Sequence, residues 1–167
     1  MPIPFLHYTD DQLFPVLNLV LLGYFCLVFL PRWRYTSNIT LMLVIFYSLC
    51  YILLLIHRMT ISTVPTPPIS FDTLDDIVAL FKDRGTVFAG WDHYIAFDLF
   101  VARWLVLDSQ ERHIPHLCVV PFVPLTLMAG PAGLALYLCL VVPMFAWWCD
   151  NTTTTNNNNN KKKKKSE

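Results

Sequence analysis

Four side chains in one apolar stretch of this 167-residue sequence could move a proton or hold an anion where hydrocarbon is expected. They are Asp92, His93, Asp98 and Arg103 in GWDHYIAFDLFVARWLVLD, Gly90 to Asp108; His116 follows shortly after. An unpaired charge at the centre of a bilayer costs roughly 2.5 to 3.5 kcal/mol on insertion scales, so such groups must face protein or a water-filled cavity. Depth separates them. Asp92 and His93 at the start of the stretch and Asp108 at its end can reach the headgroups, Arg103 can snorkel, and Asp98 in the middle can do neither.

The chemistry these types suit is acid/base work: Asp98 as a carboxyl group, His93 and His116 as proton donors or acceptors, Arg103 as an anion clamp or counter-ion. At 100° per residue Asp98 is about 140° from both His93 and Arg103, so neither is a partner within the helix. A partner must come from elsewhere, and Asn18, His57, Arg58 and His116 are the candidates. The plainer reading stays open beside this one, in which the polar groups only fix helix order and depth. A metal set of His93, His113, His116 and Asp98 is disfavoured, because Pro115 interrupts the helical spacing. No cofactor is called for.

Holding these residues in place takes neighbouring spans. Leu13 to Leu30 is an apolar run that stops at Pro31, with Arg32 and Arg34 beyond it and Trp33 and Tyr35 as interfacial anchors. Ile39 to Ile56 carries no charge and ends at His57 and Arg58; Thr36, Ser37 and Asn38 offer N-cap chemistry. The short loop between the two predicts an antiparallel hairpin. After Pro65, Pro67 and Pro68, the positions Leu74, Ile77, Val78 and Phe81 follow a helical period, which predicts a short amphipathic helix on the membrane surface or capping the bundle. Leu117 to Trp148 holds Pro121, Pro124, Pro131 and Pro143. Gly130, Pro131 and Gly133 should kink it into one bent span, with a re-entrant hairpin as the alternative.

The expected fold is therefore an all-α integral membrane protein. Four transmembrane helices, at about residues 13–30, 39–56, 90–108 and 117–142, fill residues 1–150, with the amphipathic helix between the second and third. Residues 151–167, runs of Thr, Asn and Lys, read as a disordered tail.

Composition agrees: 55% hydrophobic and 14% charged, with a mean hydropathy of +0.48. The formal net charge is zero and five of the twelve basic residues lie in the tail, which excludes a nucleic-acid footprint. The partner expected is membrane lipid; nothing signals an oligomeric state. Cys26, Cys50, Cys118, Cys139 and Cys149 have no CxxC spacing and read as small apolar fillers. The N-terminal MPIPFLHYTDDQ has neither a basic signal-peptide start nor a transit-peptide composition. Arg32, Arg34 and Arg112 on one side balance Arg58, Lys82 and Arg84 on the other, so charge does not orient the bundle.

The string from Gly90 to Trp104, then Ile114-Pro115-His116-Leu117 and Gly130-Pro131-Ala132-Gly133, resembles the abscisic-acid-deficiency-four-like family. Pro31-Arg32-Trp33-Arg34 after the first span is similar to it too. The resemblance covers about Leu13 to Leu140; Asp92 stands where an apolar or small residue is expected, and the tail has no counterpart. Plant members of that family are plastid membrane proteins needed to form neoxanthin from violaxanthin. The resemblance implies a carotenoid or isoprenoid substrate and an epoxide-to-allene isomerisation, carried out by the chain or by a partner it assists. Asp98 with His93 or His116 would then supply the acid and the base, and Phe97, Phe100, Trp104 and Phe122 an apolar wall. A plastid envelope location follows by the same analogy, although the N-terminus is not transit-like.

Overall fold

Helix α1 (Phe14–Phe29) opens as a 3-10 helix over Phe14–Leu19 and continues as an α-helix from Val20. A short α-helical turn, Asp10–Leu13, leads directly into it, and Pro15 stands at the start of the 3-10 stretch. The computed structural model describes residues 10–61, 70–148 and 150. The expectations for the first nine residues, the Pro65, Pro67 and Pro68 stretch, Cys149 and the tail lie outside these.

Helix α2 (Thr36–Thr60) starts three residues before the expected span. Its N-cap is Tyr35, with no side-chain cap, so the capping expected from Thr36, Ser37 and Asn38 does not form. The Thr36 hydroxyl donates instead to the Leu30 carbonyl at 2.6 Å, closing the turn out of α1. Ser37 is spent on another helix, as described below. The hairpin is sealed at its other end by Tyr47 of α2, fully buried, whose hydroxyl donates to the Leu17 carbonyl at 3.0 Å in the 3-10 segment.

Helix α3 (Leu74–Phe81) is the short helix the periodicity predicts. Thr73 and Asp76 form a capping box: the Asp76 N–H donates to Thr73 Oγ1 and the Thr73 N–H to Asp76 Oδ2, both at 3.2 Å. Its apolar residues Leu74, Val78 and Phe81 are exposed. Helix α4 (Arg84–Glu111) runs 28 residues, six earlier than expected at its start, because Asp83 caps it by accepting from the Thr86 N–H at 2.8 Å. It ends in a Schellman turn. The Ile114 N–H donates to Ser109 O at 2.8 Å and the His113 N–H to Gln110 O at 3.2 Å, with His113 left-handed at φ 58°.

Helix α5 (Phe122–Trp148) is apolar throughout but is not straight. Ala129 leaves helical geometry (φ −154°, ψ 74°) just before Pro131. A Cβ on Gly133 would lie 3.0 Å from the Thr126 nitrogen and 3.2 Å from the Phe122 carbonyl oxygen. In a straight helix residues 122 and 133 would be about 16 Å apart along the axis, so the arm 122–128 folds back against the helix that follows. The expected single bent span is thus broken more sharply than a kink, towards the re-entrant alternative.

Among the described residues the fold is all-α, with five helices. α4 is the hub, packing against α1, α2, α3 and α5. Leu99, Ala102 and Leu105 on it are fully buried. A Cβ on Gly23 of α1 would come within 2.9 Å of Leu99 Cδ1, so α1 approaches closely only because that position is bare. α2 and α5 are long and apolar enough to cross a membrane, and in their most apolar windows only 11% and 28% of the residues are buried. The core helix of a soluble protein would be mostly enclosed; here Met42, Leu49, Leu53 and Met144 face outward, which associates the chain with a membrane.

Two outcomes test these local readings. His113→Gly removes the left-handed penalty and should stabilise the protein by about 1 kcal/mol, read as a rise in thermal midpoint in detergent. Hydrogen bonds from Thr73 and Ser70 pull the Asp76 carboxyl below its ordinary value. Its support for α3 is therefore complete above about pH 4 and is lost as pH falls through the lowered value. The protection of α3 amides relative to their intrinsic exchange rates should fall on acidification below pH 4, and Thr73→Ala should flatten that dependence.

Candidate functional site

Asp98 lies half-buried on α4, about halfway along its length. A Cβ on Gly130 would overlap its Oδ1, so the carboxyl group occupies the space left by the missing side chain at the elbow of α5. The folded-back arm brings Thr126 alongside. Thr126, fully buried, donates to the Val123 carbonyl at 2.7 Å, which spends its only hydroxyl proton. The Tyr24 hydroxyl of α1, 3.1 Å from Thr126 Oγ1, is therefore the donor in that pair. Asp98 is within electrostatic reach of Tyr24. The result is a carboxyl group and a phenol in one niche where α1, α4 and α5 meet.

The partners expected for Asp98 are elsewhere. Asn18 is exposed. His57 and Arg58 lie at the far end of α2, and His116, in the turn His116–Cys118, places its Nε2 3.0 Å from the Val28 carbonyl. The residue packed against Asp98 is Gly130, with the Tyr24 hydroxyl within electrostatic reach. A Tyr and a Thr in apolar helices, and a Gly-Pro step, were the available signals.

Asp92 corrects a second expectation. It is not a surface group: it is fully buried, with neither carboxylate oxygen hydrogen-bonded among the described residues. α4 starts six residues earlier than expected, so Asp92 lies about 12 Å along it from Arg84, on a face covered by α2. Tyr47 and Cys50 of α2 are within its electrostatic reach.

Of the four sequence candidates, none hydrogen-bonds another. Arg103 crosses to α2, donating from Nε to the Ser37 carbonyl at 3.2 Å and from its terminal nitrogen to Ser37 Oγ at 2.8 Å. His93 packs among rings, 4.6 Å from Phe97 and 5.2 Å from Tyr51 between centroids. Asp108, at the end of the stretch, accepts from the Tyr137 hydroxyl and from Arg112, both at 2.7 Å. Among the described residues no three His, Cys, Asp or Glu side chains are grouped to hold a metal ion.

The Asp98–Gly130 fit is testable. Gly130→Ala should destabilise the protein by about 1 to 3 kcal/mol through overpacking. The same substitution on an Asp98→Ala background should cost much less, measured by thermal unfolding of all four proteins of the cycle in detergent.

No curated protein and no solved structure matches the chain. Residues 12–137 match the family described as ABA DEFICIENT 4-like, a stretch holding Tyr24, Asp98, Thr126 and Gly130 together with every helix described above from α1 into α5. With most of its length matched, this helical, membrane-associated chain belongs to the ABA DEFICIENT 4-like family.

Proposed function

We propose that this protein is a four-span integral membrane protein acting on a carotenoid or related isoprenoid, as an isomerase opening an epoxide to an allene or as an accessory to one. The observation that carries the reading is the Asp98 carboxyl group, set against Gly130 at the elbow of α5 and within electrostatic reach of Tyr24, in a chain of this family. α2 and α5 supply two spans by length and composition. α4 packs along both and so shares their depth; its 28 residues reach about 42 Å, enough to cross. α1 gains length from its 3-10 turns and reaches about 27 Å, close to the hydrocarbon thickness.

Opening an epoxide requires an acid near its oxygen and a base near the carbon that loses a proton. Asp98 is suited to either role, with Tyr24 as a neighbouring hydroxyl. His93 supplies a second titratable group on another face of α4. A second reading, a non-catalytic scaffold or pigment-binding partner, is favoured by Arg103 and His116, whose hydrogen bonds to Ser37 and to the Val28 carbonyl tie helices together.

Pigment chromatography after co-expression with a violaxanthin-producing pathway separates the two. Neoxanthin should appear with the unaltered chain and fall at least about a hundredfold with Asp98→Asn at equal membrane abundance, the scale on which general acid–base groups contribute. Neoxanthin made equally by both proteins would sink the acid/base role and leave the scaffold reading.

A further inference from the structure

Arg32 and Arg103 share a cavity of about 130 Å3 at the end of the bundle where α1 turns into α2. The turn, the first residues of α2 and the last third of α4 form its walls, and no Asp or Glu is among the residues that line it. Ser37 takes two of the five N–H groups of Arg103 but none of its charge, since a hydroxyl and a peptide carbonyl are neutral. Arg32 is exposed and has no hydrogen bond or ion pair among the described residues. The two acids at this end are turned to Arg112: Asp108 accepts from it at 2.7 Å, and Glu111 lies within its electrostatic reach. A second cavity of about 230 Å3 adjoins the first across Arg32, with Ser109, Gln110 and His113 in a polar wall that again holds no carboxylate.

Two guanidinium groups around one small space repel each other unless an anion lies between them. The first turn of α2 adds to the field: it has no side-chain cap, and Thr36 and Ser37 stand in the cavity wall, so the positive end of that helix borders the same space. At 130 Å3 the cavity has about the room of four water molecules, enough for a phosphate group and too little for a whole headgroup. The surroundings point to lipid as the source of that phosphate. Trp33, in the wall, and Tyr35 beside it are half-exposed aromatic residues of the kind that sit at headgroup depth. Phe29 and Leu30, just before the turn, and Trp104, just after Arg103, face outward and offer acyl chains an apolar surface.

We propose that Arg32 and Arg103 bind the phosphate group of an anionic phospholipid, Arg32 with its whole fork of N–H donors and Arg103 with those that Ser37 leaves over. A glycerol headgroup, neutral and hydroxylated, then has the polar wall of the second cavity beside it. A choline or ethanolamine headgroup carries a cation, and with no carboxylate in either cavity that cation meets only further positive charge. The site therefore selects lipids of net negative charge over zwitterionic ones. It requires only a membrane-associated chain, and it stands whether or not the protein acts on a carotenoid.

The test titrates the full chain, in a neutral detergent and by calorimetry, with dioctanoyl phosphatidylglycerol, dioctanoyl phosphatidylcholine and inorganic phosphate. Phosphatidylglycerol should bind about tenfold or more tightly than phosphatidylcholine, the scale of a charged hydrogen bond, and more tightly than inorganic phosphate, which has no chains to lay on the apolar surface. Arg32→Gln should weaken phosphatidylglycerol binding by about tenfold or more. The thermal midpoint without lipid should not move, because Arg32 is bonded to nothing within the protein. Arg32→Lys keeps the charge and loses the fork, so its affinity should fall between the two. Arg103→Gln should weaken binding on the same scale; since it also removes the Ser37 contacts, Arg32→Gln keeps the test decisive if that variant does not fold. Arg34, whose guanidinium carbon lies 4.6 Å from the centre of the Tyr35 ring, lines neither cavity. Arg34→Gln should change the affinity by less than about twofold. Equal affinity for the two lipids would overturn the assignment by removing its charge selection. Inorganic phosphate bound as tightly as phosphatidylglycerol would overturn it in favour of a free anion, and equal losses from Arg32→Gln and Arg34→Gln in favour of diffuse surface attraction.

Discussion

Everything in this fold answers to one requirement: a helix that carries two carboxylates and a guanidinium through an apolar bundle must have each of them covered by protein. α4 meets it by packing against all four other helices. Each charged group then finds a different neighbour. Arg103 is held by Ser37 on α2, Asp98 by the gap at Gly130 on α5, and Asp92 is enclosed on the side of Tyr47 and Cys50. Such spreading favours assembly, because removing any one contact leaves an ionisable group inside the bundle without its neighbour.

The elbow of α5 makes the middle of the bundle possible. A straight helix at this position would carry Thr126 away from the helix that follows and leave no room for a carboxyl group. Ala129 breaks the helix where Pro131 cannot donate, and the arm 122–128 folds back so that Thr126 meets Tyr24. Glycines at 130 and 133 are required by proximity rather than by unusual dihedral angles: each faces an atom that a Cβ would strike. The same logic holds at Gly23, where α1 and α4 touch.

Two regions of α4 thus differ in character. Its first turns border a cleft with an ion pair and two histidines near the end of α2, and its middle carries a half-buried carboxyl group against the bare backbone of Gly130. His93 and Asp98 are only five residues apart, yet the helical rotation between them sends one to the aromatic wall and the other to the elbow.

The sequence by itself determined the helical class, the apolar runs of α2 and α5, the period of α3 and the family, because composition, periodicity and a long motif are local properties of the chain. Asp98 was legible for the same reason: a carboxyl group in the middle of an apolar stretch is conspicuous wherever it points. Tertiary structure decided the rest. The start of α4 at Arg84 depends on Asp83 capping it, and the burial of Asp92 depends on α2 packing over it on the side of Tyr47 and Cys50. Arg103, which read as an anion clamp, is engaged by Ser37 because the hairpin of α1 and α2 sets that hydroxyl beside it. The company of Asp98 comes from positions 24, 126 and 130, which only a backbone broken at Ala129 brings together. Spacing along a chain records what each helix presents, whereas the neighbour across a helix interface is set by packing depth and by where a helix bends.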